Sequence, residues 1–427
     1  MPALSRLAEG LAALSGWRRV GVAITLGLLS AAAFPPVPGV ILLIPAFTGL
    51  VWLTGLSTRR RGAVVALTGW AFGLGQFAAG LYWIGTAFFV DADAYGWMAP
   101  FAVVGLAAGL GIITGASVLP LASPRLAGAG RILVFAAAWT IAEWVRGWIL
   151  TGFPWNLVGT AWFFSDAMIQ AASVIGAFGL TLMTVIAAAM PAALAEPRGG
   201  VRAVAAVAVF LAVVFGAGGW RLSMASDQTV PDVRLRLVQP AIQQSLKWDP
   251  NLRRLHVIEQ LELSRLPPSD PQGPPTHIIW AETAVPFFLV AEPTLIAEFS
   301  KLVPLGGAAI VGTPRPDGHQ AYNSLQAVDS AGRIAGSYDK AHLVPYGEYI
   351  PFRWMVDWLP MVAERNDFAA GPGRVTLRLP GLPPASPLIC YEVIFPGEVV
   401  DEADRPGLML NVTKDRKSTR LNSSHVS

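Results

Sequence analysis

The chain of 427 residues is 53% hydrophobic and only 14% charged, and its net charge is +3. Soluble domains usually contain about one-quarter charged residues, so this composition excludes an ordinary soluble protein. Lys and Arg outnumber Asp and Glu by 12 to 6 over residues 1–222, whereas Asp and Glu outnumber Lys and Arg by 21 to 15 over residues 223–413. The positive charge lies in short loops between apolar runs rather than on one face, which excludes a nucleic-acid-binding protein.

The first half of the chain contains seven long apolar runs. A helix needs about 20 apolar residues to cross a hydrocarbon core about 30 Å thick. The runs cover residues 20–34, 37–56, 63–90, 97–122, 132–150, 167–195 and 203–220. The first run is short for a span, and a re-entrant or oblique segment is the alternative for it. We therefore predict a membrane domain over residues 1–222 with about seven transmembrane helices.

The arginines of this half predict its orientation. Short cytoplasmic loops retain Lys and Arg, whereas translocated loops do not. Arginines precede the first predicted span and follow the second, fourth and sixth, while the loops between them carry Asp91, Asp93 and Asp166 but no Lys or Arg. An odd number of spans from a cytoplasmic N-terminus would place the chain after residue 222 on the outer side.

The fifth predicted span and the loop after it contain two candidate features. Glu143 and Arg146 are one helical turn apart and can pair, either to hold helices together or to act beside a site. Trp144, Phe153 and Trp155 are candidates for a substrate entrance that admits a lipid headgroup or an acyl chain. Anchoring at the membrane interface is the alternative for these aromatic residues.

After Ser223 the apolar runs become short and are divided by Pro, Gly and Asp, as in alternating strands and helices. The pattern predicts helices near 250–266 and 293–303 and another that starts near Pro396. It predicts strands at 233–238, 277–280, 308–312, 324–329, 333–338, 374–379, 386–390 and 408–412. We therefore predict a layered α/β domain over residues 223–413, with functional residues at strand ends.

Three of these strand ends carry reactive groups, namely Glu282, Lys340 and Cys390. Amides at a helix N-terminus and a nearby ammonium would lower the pKa of the Cys390 thiol. A carboxylate can take the thiol proton, and a lysine can stabilise a thiolate or an oxyanion. Each residue type taken singly is more often a core or solvated residue, and the spacing does not show that the three meet.

Metal chemistry is not indicated. Cys390 is the single cysteine, which excludes an internal disulfide and a multi-thiolate metal site, and the five histidines are scattered without ligand spacing. We predict no metal and no cofactor.

Three segments of the second half resemble the active-site motifs of the apolipoprotein N-acyltransferases. They are WAETAVP at 280–286, YDKAHLVPYGEYIP at 338–351 and CYE at 390–392. The resemblance extends to residues 152–155, 238–239, 244–248 and 322–325, and it covers about residues 20–413. That family joins a polytopic membrane region to a periplasmic nitrilase-like domain.

The resemblance implies a polytopic α-helical membrane domain followed by an α/β nitrilase-like αββα-sandwich domain. It implies a catalytic triad in which Glu282 is the general base, Lys340 the electrostatic stabiliser and Cys390 the nucleophile. Three further motif positions are candidates for supporting the site, with a direct role as the alternative: Glu348, Tyr391 and Glu392.

The resemblance also implies a reaction. A phospholipid would acylate Cys390 and leave as a lysophospholipid, and the acyl chain would then pass to the α-amine of an S-diacylglyceryl cysteine on an apolipoprotein. A thioester keeps much of the reactivity of the ester from which it forms, so one nucleophile divides the transfer into two feasible steps. The implied location is the bacterial inner membrane, with the catalytic domain on the periplasmic side, and the implied state is a monomer.

Two other functions remain open from the residues alone. One is a membrane-tethered nitrilase-type amidase that acts on a small soluble amide. The other is a transporter or a membrane scaffold with a periplasmic binding domain, although the spans carry few polar residues for a substrate path.

The last fourteen residues, 414–427, depart from the family pattern. They are polar, lack apolar periodicity and include four basic residues. We interpret them as a non-native tail and the α/β domain as incomplete at its C-terminus. A basic tail that binds anionic lipid is the alternative.

Overall fold

The computed structural model describes residues 2–55, 61–89, 91–196, 200–226, 229–240, 242, 251–268, 273–358 and 367–413. The chain divides into two compact units, Met1–Ser226 and Asp227–Ser427. The motif segment 244–248 and the predicted tail 414–427 lie outside the described residues.

The first unit is built from α-helices. Those of ten or more residues among the described residues are α1 Pro2–Ala13, α2 Gly16–Ala31, α3 Leu43–Leu53, α4 Arg61–Gly80, α5 Ala99–Ser117, α6 Gly128–Arg146, α7 Ala172–Ala189 and α8 Gly200–Ser223.

Five helical segments within the described residues are long and apolar enough to cross a membrane: Arg61–Gly80, Ala92–Ser117, Gly128–Arg146, Ala172–Ala195 and Gly200–Ser223. The first two predicted runs correspond to shorter helices, α2 with 16 residues and the apolar helix Val40–Leu53. The count of seven spans therefore stays a prediction.

Helix α4 approaches its neighbours closely because glycines face them. A Cβ atom added to Gly73 would lie 2.9 Å from the Cα of Gly111 on α5, and one added to Gly75 would overlap the carbonyl oxygen of Ile24 on α2. Small residues at such contacts let helix backbones pack tightly where lipid gives no hydrophobic drive for association. The glycines of α4 thus set the spacing of three helices.

In the described part of the second unit there are two β-sheets and two longer helices. The five-stranded sheet has the order β1-β2-β3-β4-β5, with β1 to β3 parallel and β3 to β5 antiparallel. A second sheet pairs β6 with β7 in parallel. The elements are β1 Leu235–Val238, α9 Arg253–Arg265, β2 His277–Trp280, α10 Pro293–Leu302, β3 Ala308–Asp317, β4 Gln320–Asp329, β5 Ile334–Asp339, β6 Ala385–Ile389 and β7 Leu408–Val412.

The five-stranded sheet is covered on both faces. On one face, Trp280 packs edge-on against Phe299 of α10, with ring centroids 4.8 Å apart. On the other face, Ile310 belongs to an apolar cluster that includes Ile389 of β6 and Val412 of β7. The described residues therefore form a helical layer and two packed sheets, and the prediction of a helical region followed by a layered α/β domain is confirmed.

Two predicted elements are wrong. Residues 374–379 form no strand, and their pairing is a single isolated bridge between Leu377 and Ala385. The turn between these two residues is rich in proline, and proline has no N–H group to donate to a strand ladder. The helix expected near Pro396 is also absent. A 3₁₀ helix, Cys390–Ile394, comes earlier, and Gly397 has a φ of +82°, a conformation that ends helices.

Candidate active site

The site lies where three strands of the second unit end. Glu282 follows β2, Lys340 directly follows β5, and Cys390 directly follows β6. The structure brings these three residues together, because Lys340 Nζ is 3.3 Å from Glu282 Oε1 and the thiol of Cys390 is hydrogen-bonded to Glu282.

The Lys340 ammonium lies between two carboxylates. Its Nζ is also 3.0 Å from Glu348 Oε2, and the side chain is only 1% exposed. Burial by itself would lower the pKa of this ammonium, but the negative charges of Glu282 and Glu348 beside it outweigh burial and raise the pKa. Lys340 is therefore a permanently charged group inside the site.

Asn323 completes this cluster. Its Nδ2 donates to Glu282 Oε1 at 2.9 Å and to Glu348 Oε1 at 2.6 Å. The pairing of β4 with β5 brings it there, since the backbone N–H of Lys340 donates to the carbonyl oxygen of Asn323 at 2.9 Å. The sequence assigns Asn323 no role beyond its place in a family-like segment, because the register of β4 on β5 decides its position.

Cys390 lies at a turn in the left-handed backbone conformation, with a φ of +55°. Residues other than glycine seldom adopt this conformation, and a strained turn between a strand and a helix is a known way to present a nucleophile. The thiol donates a hydrogen bond to Glu282, and Thr413 also hydrogen-bonds to the sulfur. The turn thus directs the sulfur towards the carboxylate.

The expected lowering of the thiol pKa is wrong. Burial raises the pKa of the Cys390 thiol, and the negative charge of Glu282 raises it further, while Thr413 and Lys340 oppose this only in part. Cys390 is the first residue of a 3₁₀ helix of only five residues, so the long helix whose N-terminal amides were expected to lower the thiol pKa does not follow it. The thiol is therefore protonated at neutral pH and needs a base in contact with it before it can act as a nucleophile.

Glu392 joins the lysine segment to the cysteine turn. Its Oε1 accepts hydrogen bonds from the Tyr338 hydroxyl at 2.7 Å and from the backbone N–H groups of Ala341 and His342 at 2.9 and 3.1 Å. Its Oε2 accepts from the backbone N–H of Ile389 at 2.8 Å. Because these donors flank Lys340 and Cys390, Glu392 positions both.

Substituting Glu392 by glutamine should lower the stability of the second unit. Both oxygens of Glu392 face donors, so the amide group of glutamine would meet an N–H or O–H group, and a buried donor left unpaired costs about 1–3 kcal/mol. We expect a lower Tm for the purified full-length E392Q protein. The matched control is E298Q, whose carboxylate pairs with Arg265 and Lys301 at the surface. Equal Tm values for the native chain and E392Q would contradict this positioning role.

Glu348 and Tyr391 have different surroundings. Glu348 Oε2 accepts from the backbone N–H of Val344 at 2.7 Å, and the same carboxylate contacts Lys340, so Glu348 belongs to the charged cluster. Tyr391 packs edge-on against Phe395, with ring centroids 4.9 Å apart. Burial raises the pKa of the Tyr391 phenol, which therefore stays neutral beside the cysteine turn.

The three aromatic residues predicted to form an entrance belong to the first unit and separate into two groups. Phe153 and Trp155 stack with ring centroids 6.3 Å apart, and the ring centroids of Trp155 and Trp83 are 5.1 Å apart. Trp144 instead packs near Trp148, with ring centroids 6.4 Å apart, and is 50% exposed. Their role as an entrance stays a prediction.

The Glu143–Arg146 pair is buried in the first unit, with its closest nitrogen and oxygen atoms 3.9 Å apart. Arg146 Nη1 donates to the carbonyl oxygens of Phe153 and Trp155 at 2.8 and 2.6 Å. Glu143 Oε1 accepts from the backbone N–H of Val158 at 3.0 Å. These contacts hold the aromatic loop on the end of α6, which favours the structural interpretation of the pair.

Comparison with known proteins adds independent evidence. A family model described as the apolipoprotein N-acyltransferase N-terminal domain matches residues 26–190. An apolipoprotein N-acyltransferase of Rhodopseudomonas palustris is 40% identical over 435 residues, which cover 96% of this chain and 81% of that protein. Another, from Bradyrhizobium diazoefficiens, is 41% identical and covers 94% of this chain and 78% of its own length. The chain belongs to the apolipoprotein N-acyltransferase family.

Membership of the apolipoprotein N-acyltransferase family confirms the resemblance that the motifs indicate, and with it the prediction of a membrane-associated acyltransferase. A solved structure, a CN-hydrolase superfamily protein from Xanthomonas campestris with an arsenic adduct in the active site, is 22% identical. It matches with a TM-score of 0.28 over 43% of this chain and 65% of that one. Because so low a TM-score does not establish a shared fold, the layers described above rest on the strands of this chain alone.

Proposed function

We propose that this apolipoprotein N-acyltransferase family member transfers a fatty acyl chain from a phospholipid, through a thioester on Cys390, to the N-terminal amine of an S-diacylglyceryl-cysteine apolipoprotein. The observation that supports this chemistry is the contact of the Cys390 thiol with Glu282, whose carboxylate also contacts Lys340. A protonated nucleophile, a base and a cation in one cluster are the groups that covalent acyl transfer requires.

In the first half-reaction, Glu282 takes the proton of the Cys390 thiol as the sulfur attacks the ester carbonyl of the phospholipid. Lys340 stabilises the negative charge that develops on the carbonyl oxygen. The ester C–O bond breaks as the C–S bond remains, and the leaving alkoxide takes the proton from Glu282. The products are a lysophospholipid and an acyl thioester on Cys390.

In the second half-reaction, the neutral α-amine of the apolipoprotein attacks the thioester carbonyl. The amine loses one proton to Glu282 as the amide C–N bond forms, and the C–S bond breaks. The thiolate of Cys390 then takes that proton back, which restores the resting site without any further reactant.

The lipid nature of both substrates supports a membrane location. Extracting an acyl chain into water costs about 0.8 kcal/mol per CH₂, so the reaction is favoured where the chains stay in lipid. The second unit exposes apolar side chains near the lysine segment, including Phe352 at 54%, Trp354 at 78% and Trp358 at 77%. Exposed aromatic residues of this kind are typical of a membrane interface.

We further propose that the membrane is the bacterial inner membrane, that the catalytic unit lies on its periplasmic side, and that the protein acts as a monomer. The alternation of arginines between loops of the first half supports this orientation.

The test is mass spectrometry of the full-length protein after incubation with a diacyl phospholipid. We expect one added acyl chain, located on the peptide that contains Cys390, removed by neutral hydroxylamine as a thioester is. Hydrolysis of short soluble amides with no acyl adduct would contradict the proposal and favour a membrane-tethered amidase.

A further inference from the structure

A cavity lies beside the turn that carries Glu282. It is bounded by the segments after β1 and β2 and by α9, and it encloses about 390 Å³ of empty space, its open mouth included. Glu282, Gln260 and His256 line it together with the exposed residue Gln239. Because that volume includes open solvent, the enclosed part of the cavity admits about one water molecule or one small polar group of a bound molecule.

Gln260 lines this cavity, and its side chain carries an acceptor that is unpaired among the described residues. Its side chain is 1% exposed, and its Nε2 donates to the carbonyl oxygens of His256 at 3.0 Å and Ala284 at 3.2 Å. Carbonyl oxygens only accept, so the amide nitrogen must face them and the orientation of the amide is determined. In the part of the chain that the structure describes, Gln260 Oε1 has no hydrogen-bond partner. Since buried acceptors are almost always paired, this oxygen is a candidate acceptor for a donor group that enters the cavity.

The charges around the cavity select the kind of donor. Glu282 borders the cavity, and its described lining contains no Lys or Arg. A phosphate or carboxylate group would be repelled by the Glu282 carboxylate and could not donate to Gln260 Oε1. A peptide N–H group next to an amine complements both residues.

We propose that Gln260 Oε1 accepts a hydrogen bond from the acceptor polypeptide, from the backbone N–H of the residue that follows the modified cysteine. This inference rests on the proposed function, since it places the α-amine of that cysteine at Glu282. Gln260 Nε2 holds the carbonyl of Ala284, two residues after Glu282. Gln260 thereby aligns the base and the acceptor with one side chain, and it is a binding residue of the second half-reaction.

The test compares two acceptors in single-turnover transfer from acyl-Cys390 enzyme. One is a diacylglyceryl-cysteine peptide, and the other has an ester in place of its first peptide bond and so lacks that N–H. For the native chain we expect transfer to the ester acceptor to be about tenfold less efficient, the effect of one buried hydrogen bond. In Q260M the ratio of the two rates should fall to near one.

The matched control is Q326M. Gln326 on β4 is also buried, at 3% exposure, with an unpaired Oε1, but it does not line the cavity. Q326M should keep the native preference for the peptide acceptor, which separates binding by Gln260 from general damage to the fold. The comparison in the native chain needs no variant, so it stands even where Q260M fails to fold.

Three results would overturn this proposal. The native chain could transfer equally well to both acceptors, or Q260M could keep the tenfold preference. The third is that Q260M alters the relative rates of acylation by ethanolamine and choline phospholipids and leaves the acceptor preference intact, which would assign the missing donor to the lipid headgroup. Because the assay starts from the acyl-enzyme, failure to form that adduct contradicts the proposed function instead.

Discussion

Cys390→Ala is expected to abolish acyl transfer. The Cys390 sulfur, which contacts Glu282, is the nucleophile of the proposed reaction. Removing the nucleophile of a covalent mechanism costs roughly 10⁵–10⁶-fold in rate. The measurement is transfer of a labelled acyl chain from phospholipid to a diacylglyceryl-cysteine peptide, with mass spectrometry of the protein in parallel. Neither labelled product nor acyl-protein should appear.

Cys390→Ser is the control for this variant. Serine keeps a side-chain nucleophile of similar size at the same left-handed turn, so both variants should have the same Tm, and the loss of transfer then reports chemistry rather than folding. A slow acyl adduct that resists neutral hydroxylamine would show that serine is acylated as an oxygen ester. Native rates of acyl transfer for Cys390→Ala would reject the thioester mechanism.

Glu282→Gln is expected to slow acylation of Cys390 by about 10²–10⁴-fold at neutral pH, the usual contribution of a general base. It should also change the pH dependence. In the native chain, burial and the charge of Glu282 raise the pKa of the Cys390 thiol, and Glu282 takes the proton during the attack. Without that carboxylate the thiol pKa is lower, but the proton must leave to solvent before the attack.

The rate of E282Q should therefore rise about tenfold per pH unit up to the thiol pKa and then level off, because the thiolate fraction rises in that way. Quenched-flow mass spectrometry of acyl-Cys390 between neutral and alkaline pH measures this profile. E298Q, with its change at the surface of α10, should reproduce the native profile. A flat profile or a native rate at neutral pH for E282Q would mean that another group is the base, and Glu348, which also contacts Lys340, is then the residue to substitute.

The apolar helices and most buried strands follow from the sequence because they depend on local composition. Strand β2 is buried on every residue and contains three consecutive apolar residues after His277, and its predicted bounds of 277–280 match His277–Trp280. Strand β3 reaches Asp317, whereas the predicted strand ends at residue 312. The prediction is too short because Pro314 and Pro316 in this segment argue against a strand. After Ile310, the described partner of β3 is β4 alone, so one side of β3 is an edge there. Proline is tolerated at such an edge, because its missing N–H group is not needed for pairing on that side.

The reactive groups can be identified from local sequence, since the motifs around Glu282, Lys340 and Cys390 lie in short contiguous segments. How these groups act on one another depends on the three-dimensional packing of those segments. The two carboxylates share the amide of Asn323, and Glu392 joins two segments, because folding brings residues that are far apart in the chain to the same place. The thiol pKa rises rather than falls because burial and the proximity of a charge depend on packing in three dimensions, which no local window of sequence contains.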